Sequence, residues 1–276
     1  MEKNLALFLR NNKGTNFLLL HFQLYMKISI ITICFNNEHE INQTIESVLN
    51  QTYSNIEYII VDGASKDKTL EKVKSYVSKI SKIISEPDKG IYDAINKGIK
   101  AATGDVVGLI HAGDQLYAKT VIEKIVSHFQ TNDIDALYGH SKIYAAAGGK
   151  VIRVNKSPQY SNNLFPLGWF PSHQSFYAKR KLFDEYGYYD LKYRIAADYE
   201  LLLRVLYINQ IKVKLLDNYI IKFKTGGVST NSIGSIIEHN KECINAWKDN
   251  GLNIPFYTIF FKLIRKIKQF VFAKFQ

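Results

Sequence analysis

Residues 27–62 read KISIITICFNNEHEINQTIESVLNQTYSNIEYIIVD. A β-branched run opens the stretch, apolar residues at three- and four-residue spacing follow over about Glu40 to Asn50, and IEYIIVD returns to the β-branched pattern. Strand, helix and strand in that order make a βαβ unit, whose strands lie parallel.

The alternation continues outward. Lys27 to Cys34, Glu57 to Val61, Lys82 to Ser85 and Asp105 to His111 are strand candidates, and helices are expected over about Lys68 to Ser78 and Ile91 to Ala101. This half reads as a nucleotide-type α/β layer. Beyond Tyr117 a helix is expected near Thr120 to Gln130, with strands near Ala136 to Tyr144 and Val151 to Val154. A loop-rich stretch carrying Pro158, Pro166 and Pro171 then suits substrate-facing loops on a mixed sheet. Ala197 to Tyr207 is helical in pattern, and Ile211 to Phe223 reads as two further strands. No internal repeat interrupts the order.

With 46% hydrophobic and 22% charged residues, the 276-residue chain has enough apolar material for a sizeable core, which excludes disorder and a disulfide scaffold. Cys34 and Cys243 stand far apart with no Cys-x-x-Cys pair, so a structural zinc site is not expected and a reducing cytoplasm fits. Lys plus Arg exceed Asp plus Glu by 36 to 25, a net charge of +11 that favours an anionic partner. Nucleic acid is not that partner, because no helix-turn-helix, zinc-finger or aromatic RNA-binding motif accompanies the charge. No apolar run reaches the roughly 18 residues of a membrane span.

The two ends of the chain differ from its middle. Residues 1–25 lack the continuous apolar region and cleavage site of a signal peptide, and Met26 stands directly before the first strand, so they read as an N-terminal extension. From Phe256 onward, Ile259, Phe260, Leu263, Ile264, Ile267, Phe270 and Val271 recur at helical spacing. Lys262, Arg265, Lys266, Lys268 and Lys274 add five positive charges, and no acidic residue balances them. This is a basic amphipathic helix, read as an anchor on an anionic membrane surface. Its alternative is a helix packed on the domain with its lysines solvated.

Ligands of open α/β sheets bind at the carboxyl ends of the strands. Asp62 follows YIIV, Glu86 and Asp88 follow KIIS, and Asp114 follows VVGLIHAG, so acidic residues fall at consecutive strand ends. Such carboxylates suit Mg²⁺ or Mn²⁺ bridging a diphosphate. Neither GxxxxGK[ST] nor GxGxxG occurs. A metal ion with basic residues such as Lys89 or Arg194 would replace a glycine-rich phosphate cradle.

From Met26 to about Tyr117 the chain resembles the family 2 glycosyltransferases. The resemblance rests on ISIITICFNN, then TIESVLNQTYSNIEYIIVDGASKDKT, then EPDKGIYDAINKGIKAATGDVVGLIHAGDQLY, in the family's order over about a third of the chain. It implies the GT-A fold, a Rossmann-like, mostly parallel mixed sheet flanked by helices. Among its members the chain is similar to bacterial enzymes of polysaccharide assembly. The domains implied are an extension over 1–25, a catalytic domain over 26–225 and a helical region with the surface anchor over 226–276.

The resemblance places the nucleotide base near Thr32, Cys34, Asn36 and Asp62. Where many members have two consecutive aspartates, Asp62 is followed by Gly63, which removes a contact to the base. The family's Asp-x-Asp or Asp-Asp is reduced to His111, Ala112, Gly113 and Asp114, with Asp114 as the metal ligand and His111 more readily structural than a second ligand. Asp88 and Lys89 belong with the donor, and His173 of WFPSHQSFYAKR with the donor phosphates or the acceptor. Trp169 and Phe170 read as core more than as a sugar platform.

Asp198 opens AADYELLLR and is the expected general base, with a plain helix cap as its alternative. Glu200, two positions on, faces elsewhere on a helix. The function implied is an inverting, metal-dependent, hexosyltransferase-type enzyme. It would move a sugar from a nucleoside-diphosphate sugar, a UDP-sugar by expectation, to a hydroxyl of a saccharide or lipid-linked saccharide in cell-surface polysaccharide synthesis. Its expected place is cytoplasmic, peripheral at the inner face of the membrane. A non-catalytic nucleotide-sugar-binding or assembly subunit is the alternative.

Overall fold

The computed structural model describes residues 26–145, 149, 151–224 and 233–273, the side chains of 233 and 266–273 excepted. The expected extension over 1–25 lies outside the described residues, as do residues 225–232 and Lys274.

The chain opens with β1 (Ile28–Cys34), buried along its whole length. It then runs through α1 (Ile41–Leu49), β2 (Ile56–Asp62), α2 (Thr69–Lys74), β3 (Lys82–Ser85), α3 (Ile91–Ala101) and β4 (Val106–Leu109). β2 and β4 flank β1 and β3 lies outside β2, all parallel. β1 faces two ways: Ile31 and Ile33 join Ile95 and Ile99 of α3, while Ile28 and Ile30 join Ile41 and Ile45 of α1. Helices on both faces are what hold a parallel sheet out of water. The register aligns Cys34 with Asp62 and Asp62 with Ser85. Three strand ends therefore stop at one level, and their loops open on one rim.

Beyond β4 the chain adds β5 (Gln115–Leu116), α4 (Val121–Thr131), β6 (Ala136–Tyr144), β7 (Val151–Asn155) and β8 (Phe176–Lys179). α5 (Lys181–Tyr186), α6 (Ala197–Leu202) and β9 (Val213–Lys224) follow. Among the described residues one nine-stranded sheet runs β3-β2-β1-β4-β8-β6-β9-β5, with β7 paired to β6. β8 is antiparallel to both β4 and β6, so the sheet turns mixed at the seam between its halves. The expected α/β class and mostly parallel first half are both present.

Three expectations change in detail. Ile211 to Phe223 is not two strands but the single β9, Val213–Lys224, which stays paired with β6 through register shifts around His140, where β9 carries the extra residues. The helix expected over Lys68 to Ser78 stops at Lys74 and passes into a 3₁₀ turn at Val77–Lys79, where Val77 is exposed and adds no core burial to extend it. α6 continues as a π-helical segment through Leu203–Ile208.

Two more helices, α7 (Ile233–Asp249) and α8 (Thr258–Ala273), complete the described chain. α7 sends Cys243, Ala246 and Trp247 into the same core as Tyr199 and Leu202. The Trp247 indole N–H donates to the Tyr199 hydroxyl at 2.6 Å. No described helix is long and apolar enough to cross a membrane.

Candidate active site

Asp62, at the end of β2, is wholly buried. Its carboxylate accepts from the backbone N–H and hydroxyl of Ser65 and from the Ser85 hydroxyl at 2.8 Å. Asp62 thus ties the loop after β2 to the end of β3. Asn36 pairs with the same loop, its backbone N–H donating to Ser65 Oγ and its amide oxygen accepting from the Lys66 N–H. Thr32 and Cys34 are buried in β1, with the Thr32 hydroxyl bonded to Tyr58 and the Cys34 thiol turned towards Asp62. Burial, with the nearby Asp62 carboxylate, pushes that thiol far above its ordinary range, so it is inert.

Gly63 carries the departure noted in the sequence. A Cβ there would stand 2.4 Å from Asp88 Oδ2 and 3.3 Å from the Phe35 ring. The carboxylate of Asp88 occupies the space that a side chain at 63 would enter, so an acid is present at this corner although the second aspartate of the pair is absent. Asp88 also accepts from the Gly90 N–H at 2.9 Å, which starts α3. Phe35 is 56% exposed at the end of β1 beside it, an open aromatic face that sequence reading passed over. Lys89 is exposed on the same turn, and its backbone N–H donates to Asp93.

Asp114 sits on the loop between β4 and β5, its carboxylate accepting from the Gln174 amide at 3.3 Å. Thr44 of α1 donates its hydroxyl to the Asp114 carbonyl and accepts the Gly113 N–H. Gly113 has φ of +97° and packs against Glu40: a Cβ there would lie 2.8 Å from Glu40 Oε2. Burial, reinforced by the Glu40 charge, raises Asp114 well above the carboxylate range, although Lys224 and Gln174 pull the other way. Lys224 Nζ lies 3.2 Å from Glu40 Oε1.

Poorly compensated negative charge on hard oxygen donors is what Mg²⁺ or Mn²⁺ relieves, so Asp114 with Glu40 fits such an ion in ligand type. Among the described residues no group of three or more His, Cys, Asp or Glu converges as a metal site. Further ligands would have to come from diphosphate oxygens and water.

His173 and Gln174 are neighbours in a 3₁₀ turn just before β8. As Gln174 reaches Asp114, His173 reaches Asp198: its Nδ1 lies 3.0 Å from Asp198 Oδ2. The Tyr92 hydroxyl donates to Asp198 Oδ1 at 3.0 Å. Asp198 lies in the first turn of α6, whose N-cap is Ala196 without any side-chain cap bond. The cap alternative for Asp198 therefore fails. Burial by itself would raise this carboxyl, yet the hydrogen bond from His173, with His239 and Tyr92, outweighs it and holds Asp198 at about 2.

Behind His173 stands His111, its Nε2 2.7 Å from His173 Nε2. The His111 Nδ1 is buried with no hydrogen-bond partner. Burial, then His173, depresses His111 well below its ordinary range, so it is neutral. His111 thus faces the other histidine and not the Asp114 carboxylate, a structural placement.

Two carboxylates that sequence reading did not select brace α6 at different points. Glu242 of α7 accepts the backbone N–H groups of Arg194, Ile195 and Ala196 at 2.8–2.9 Å, fixing the turn that launches α6. Glu200 turns away from Asp198 and forms a two-pronged pair with Arg204 at 2.9 and 2.8 Å. Arg204 also binds the carbonyls of Tyr186 and Tyr188. Glu200 has a sequence signal, an acid inside the apolar run YELLLR, whereas Glu242 lies in a polar stretch and has none. Trp169 and Phe170 pack against Tyr138 and Tyr199, core aromatics as expected.

Carboxylates thus stand at the strand ends of a mixed α/β sheet, and His173 and Gln174 link Asp198 and Asp114 among them. The description Glycosyl transferase family 2 matches residues 29–188, more than half of the sequence, and the chain belongs to that family. It is 32% identical over 185 residues to an uncharacterized glycosyltransferase of Mycobacterium tuberculosis, covering 64% of this chain and 68% of that one. A PGL/p-HBAD biosynthesis glycosyltransferase of Mycobacterium bovis is 27% identical over 180 residues, with the same shares covered. TarS residues 1–349 of S. aureus superpose with a TM-score of 0.62 at 19% identity, over 80% of this chain and 65% of that one. The fold is therefore GT-A, and the chain spans just under two thirds of that neighbour. The mannosyltransferase PcManGT from Pyrobaculum calidifontis, in complex with GDP-Man and Mn²⁺, superposes at 0.59 with 14% identity, over 82% of this chain and 64% of that one.

Proposed function

We propose that the chain is an inverting hexosyltransferase that moves one sugar from a nucleoside-diphosphate sugar to a hydroxyl of a saccharide or lipid-linked saccharide. The reading places it in cell-surface polysaccharide synthesis, at the inner face of the cytoplasmic membrane, with residues 26–225 as the catalytic domain. One observation carries it: His173 and Gln174, adjacent in the chain, reach the ionised Asp198 and Asp114 respectively, which brings the two carboxylates to one site.

The donor lies along the strand ends. Phe35 offers a face to the base, Asp88 and Asn36 offer polar contacts to base or ribose, and Lys89 is free to approach the phosphates. Structural neighbours were solved with UDP, with UDP-GlcNAc and with GDP-Man. A UDP-sugar is the favoured donor on this reading. Asp114 and Glu40 would hold Mg²⁺ or Mn²⁺, which supplies charge neutralisation to a departing diphosphate.

Asp198 acts as general base. Each of its oxygens receives one donor, from Tyr92 or His173, and a carboxylate has about four acceptor positions. A lone pair remains for an acceptor hydroxyl, whose proton Asp198 takes as the oxygen attacks the anomeric carbon on the face opposite the leaving diphosphate. The proton moves to Asp198 as the new glycosidic bond forms and the bond to the diphosphate breaks. An ionised, oriented carboxylate argues against the non-catalytic subunit.

Calorimetry with UDP, UDP-sugars and GDP-mannose, with and without Mn²⁺, tests the donor half. Metal-dependent binding lost in Asp114→Ala is expected. Absence of binding to every nucleotide under both conditions would overturn the reading.

A further inference from the structure

α8 sits on the protein with its apolar row outward. Thr258 is buried and its hydroxyl donates to the Pro166 carbonyl at 2.7 Å. One turn on, Lys262 Nζ meets His239 Nδ1 at 2.9 Å and Asn240 Oδ1 at 3.2 Å, and lies 5.6 Å from the Tyr199 ring centre. Arg265 donates to the Leu167 carbonyl at 3.0 Å. Positions 258, 262 and 265 share one side of a helix, and it is this polar side that faces the fold. The approach is backbone to backbone: a Cβ at Gly168 would stand 2.6 Å from the Thr258 carbonyl oxygen and the Lys262 nitrogen.

The opposite side carries Phe260 and Leu263, 61% and 45% exposed, and Phe256 just ahead of the helix is 95% exposed. In the sequence the same spacing continues through Ile267 and Val271. A helix whose only purpose was to pack on its domain would turn this row inward, so the row is left for another surface.

Charge selects that surface. Residues 256–276 contain five basic residues and no acid, and the whole chain carries +11. At 100° per residue, Lys266 and Lys268 fall on the two borders of the apolar row, where long basic side chains suit a phosphate-bearing interface. A second copy would bring like charge against like.

We propose that Phe256, Phe260 and Leu263, continued along α8, insert into the headgroup boundary of an anionic lipid bilayer. This deepens the membrane side of the proposed function and rests on that reading only for what it means to the acceptor. The loop 166–168 that α8 grips lies five residues before His173 in the chain, so the docked helix is joined to the segment that carries His173 and Gln174.

Flotation of the full chain with phosphatidylcholine vesicles, and with vesicles containing about 30% phosphatidylglycerol, tests it. Binding about tenfold stronger to the anionic vesicles is expected, weakening as salt rises. Phe256→Ser, Phe260→Ser and Leu263→Ser together should reduce binding at least about tenfold while melting stays unchanged, since all three side chains are exposed. Val77→Ser, which removes an apolar side chain 62% exposed elsewhere, should bind as the parent does. The emission of Phe260→Trp should shift to the blue on adding anionic vesicles.

Failure of the parent chain to float with anionic vesicles overturns the proposal, as does full binding by the triple variant. A concentration-dependent dimer abolished by the triple variant also overturns it, because a second copy would then cover the face. None of these assays uses a nucleotide sugar, so their outcome is separable from the calorimetry of the donor site.

Discussion

His111 Nε2 and His173 Nε2 face each other at 2.7 Å, so one of the two must carry the shared proton. His173 meets a carboxylate at Nδ1 and places its N–H there. Its Nε2 is then the acceptor, and neutral His111 is the donor. The buried, unpartnered Nδ1 of His111 is the bare nitrogen this tautomer requires.

His111→Ala should therefore leave the fold intact but loosen His173. Catalytic turnover is expected to fall about tenfold to a hundredfold with donor affinity unchanged, a split that belongs to a positioning residue. Steady-state kinetics beside calorimetry checks it; equal loss of donor binding would contradict the assignment.

Asp198→Asn should lower turnover about a thousandfold while nucleotide binding persists. Because the folded carboxyl is held at about 2, below its ordinary value, its stabilising effect is complete above about pH 4 and fades as pH falls towards 2. The stability gap between the parent and Asp198→Asn should close over that window, as acid titrations of unfolding would register.

Asp114 has the opposite sign. Its folded carboxyl is raised, so the native state keeps a proton that the unfolded chain has released, and this group makes stability decline as pH rises past the carboxylate range. Asp114→Asn should raise the melting temperature of the ligand-free protein at neutral pH by a few degrees and abolish metal-dependent donor binding. Scanning calorimetry with and without Mn²⁺ separates the two effects.

Gly63→Ala would press a methyl group onto the Asp88 carboxylate. Displacement of Asp88 should weaken nucleotide binding about tenfold, with little change in global stability, since the colliding atom is the end of a mobile side chain. Unchanged nucleotide affinity would remove Asp88 from the donor site.

Glu242→Ala strips three backbone N–H groups of their acceptor at once. A loss of about 2–4 kcal/mol is expected, since unsatisfied buried donors are costly. Glu242→Gln, keeping part of the contact, should lose less stability and retain part of the turnover. Denaturant titrations and initial rates on both variants check the order.

The first half of the sheet was legible because each strand and helix between Ile28 and Leu109 is coded locally, by β-branched runs and three- and four-residue spacing. The positions of Asp114 after β4 and of Asp198 in the first turn of α6 were legible because a β-branched run ends before the one and a helical pattern begins at the other, while their roles belong to the proposed function. Glu242 and Glu40 were not: each acts on a loop distant in sequence, and no local pattern marks partners lying 46–48 residues away for Glu242 or 184 for Glu40. The side of α8 that meets the fold was also hidden, because periodicity yields two faces without saying which one the rest of the chain covers.

The stretch matched by the family ends at residue 188, ten residues before Asp198. The match takes in the strand ends, Asp114 and His173, while Asp198 lies beyond it on a later helix whose first turn is tied to Glu242 and whose carboxylate is met by Tyr92 and His173. On the proposed function, a gene trimmed at the border of the match would keep the donor side of the site and lose its general base.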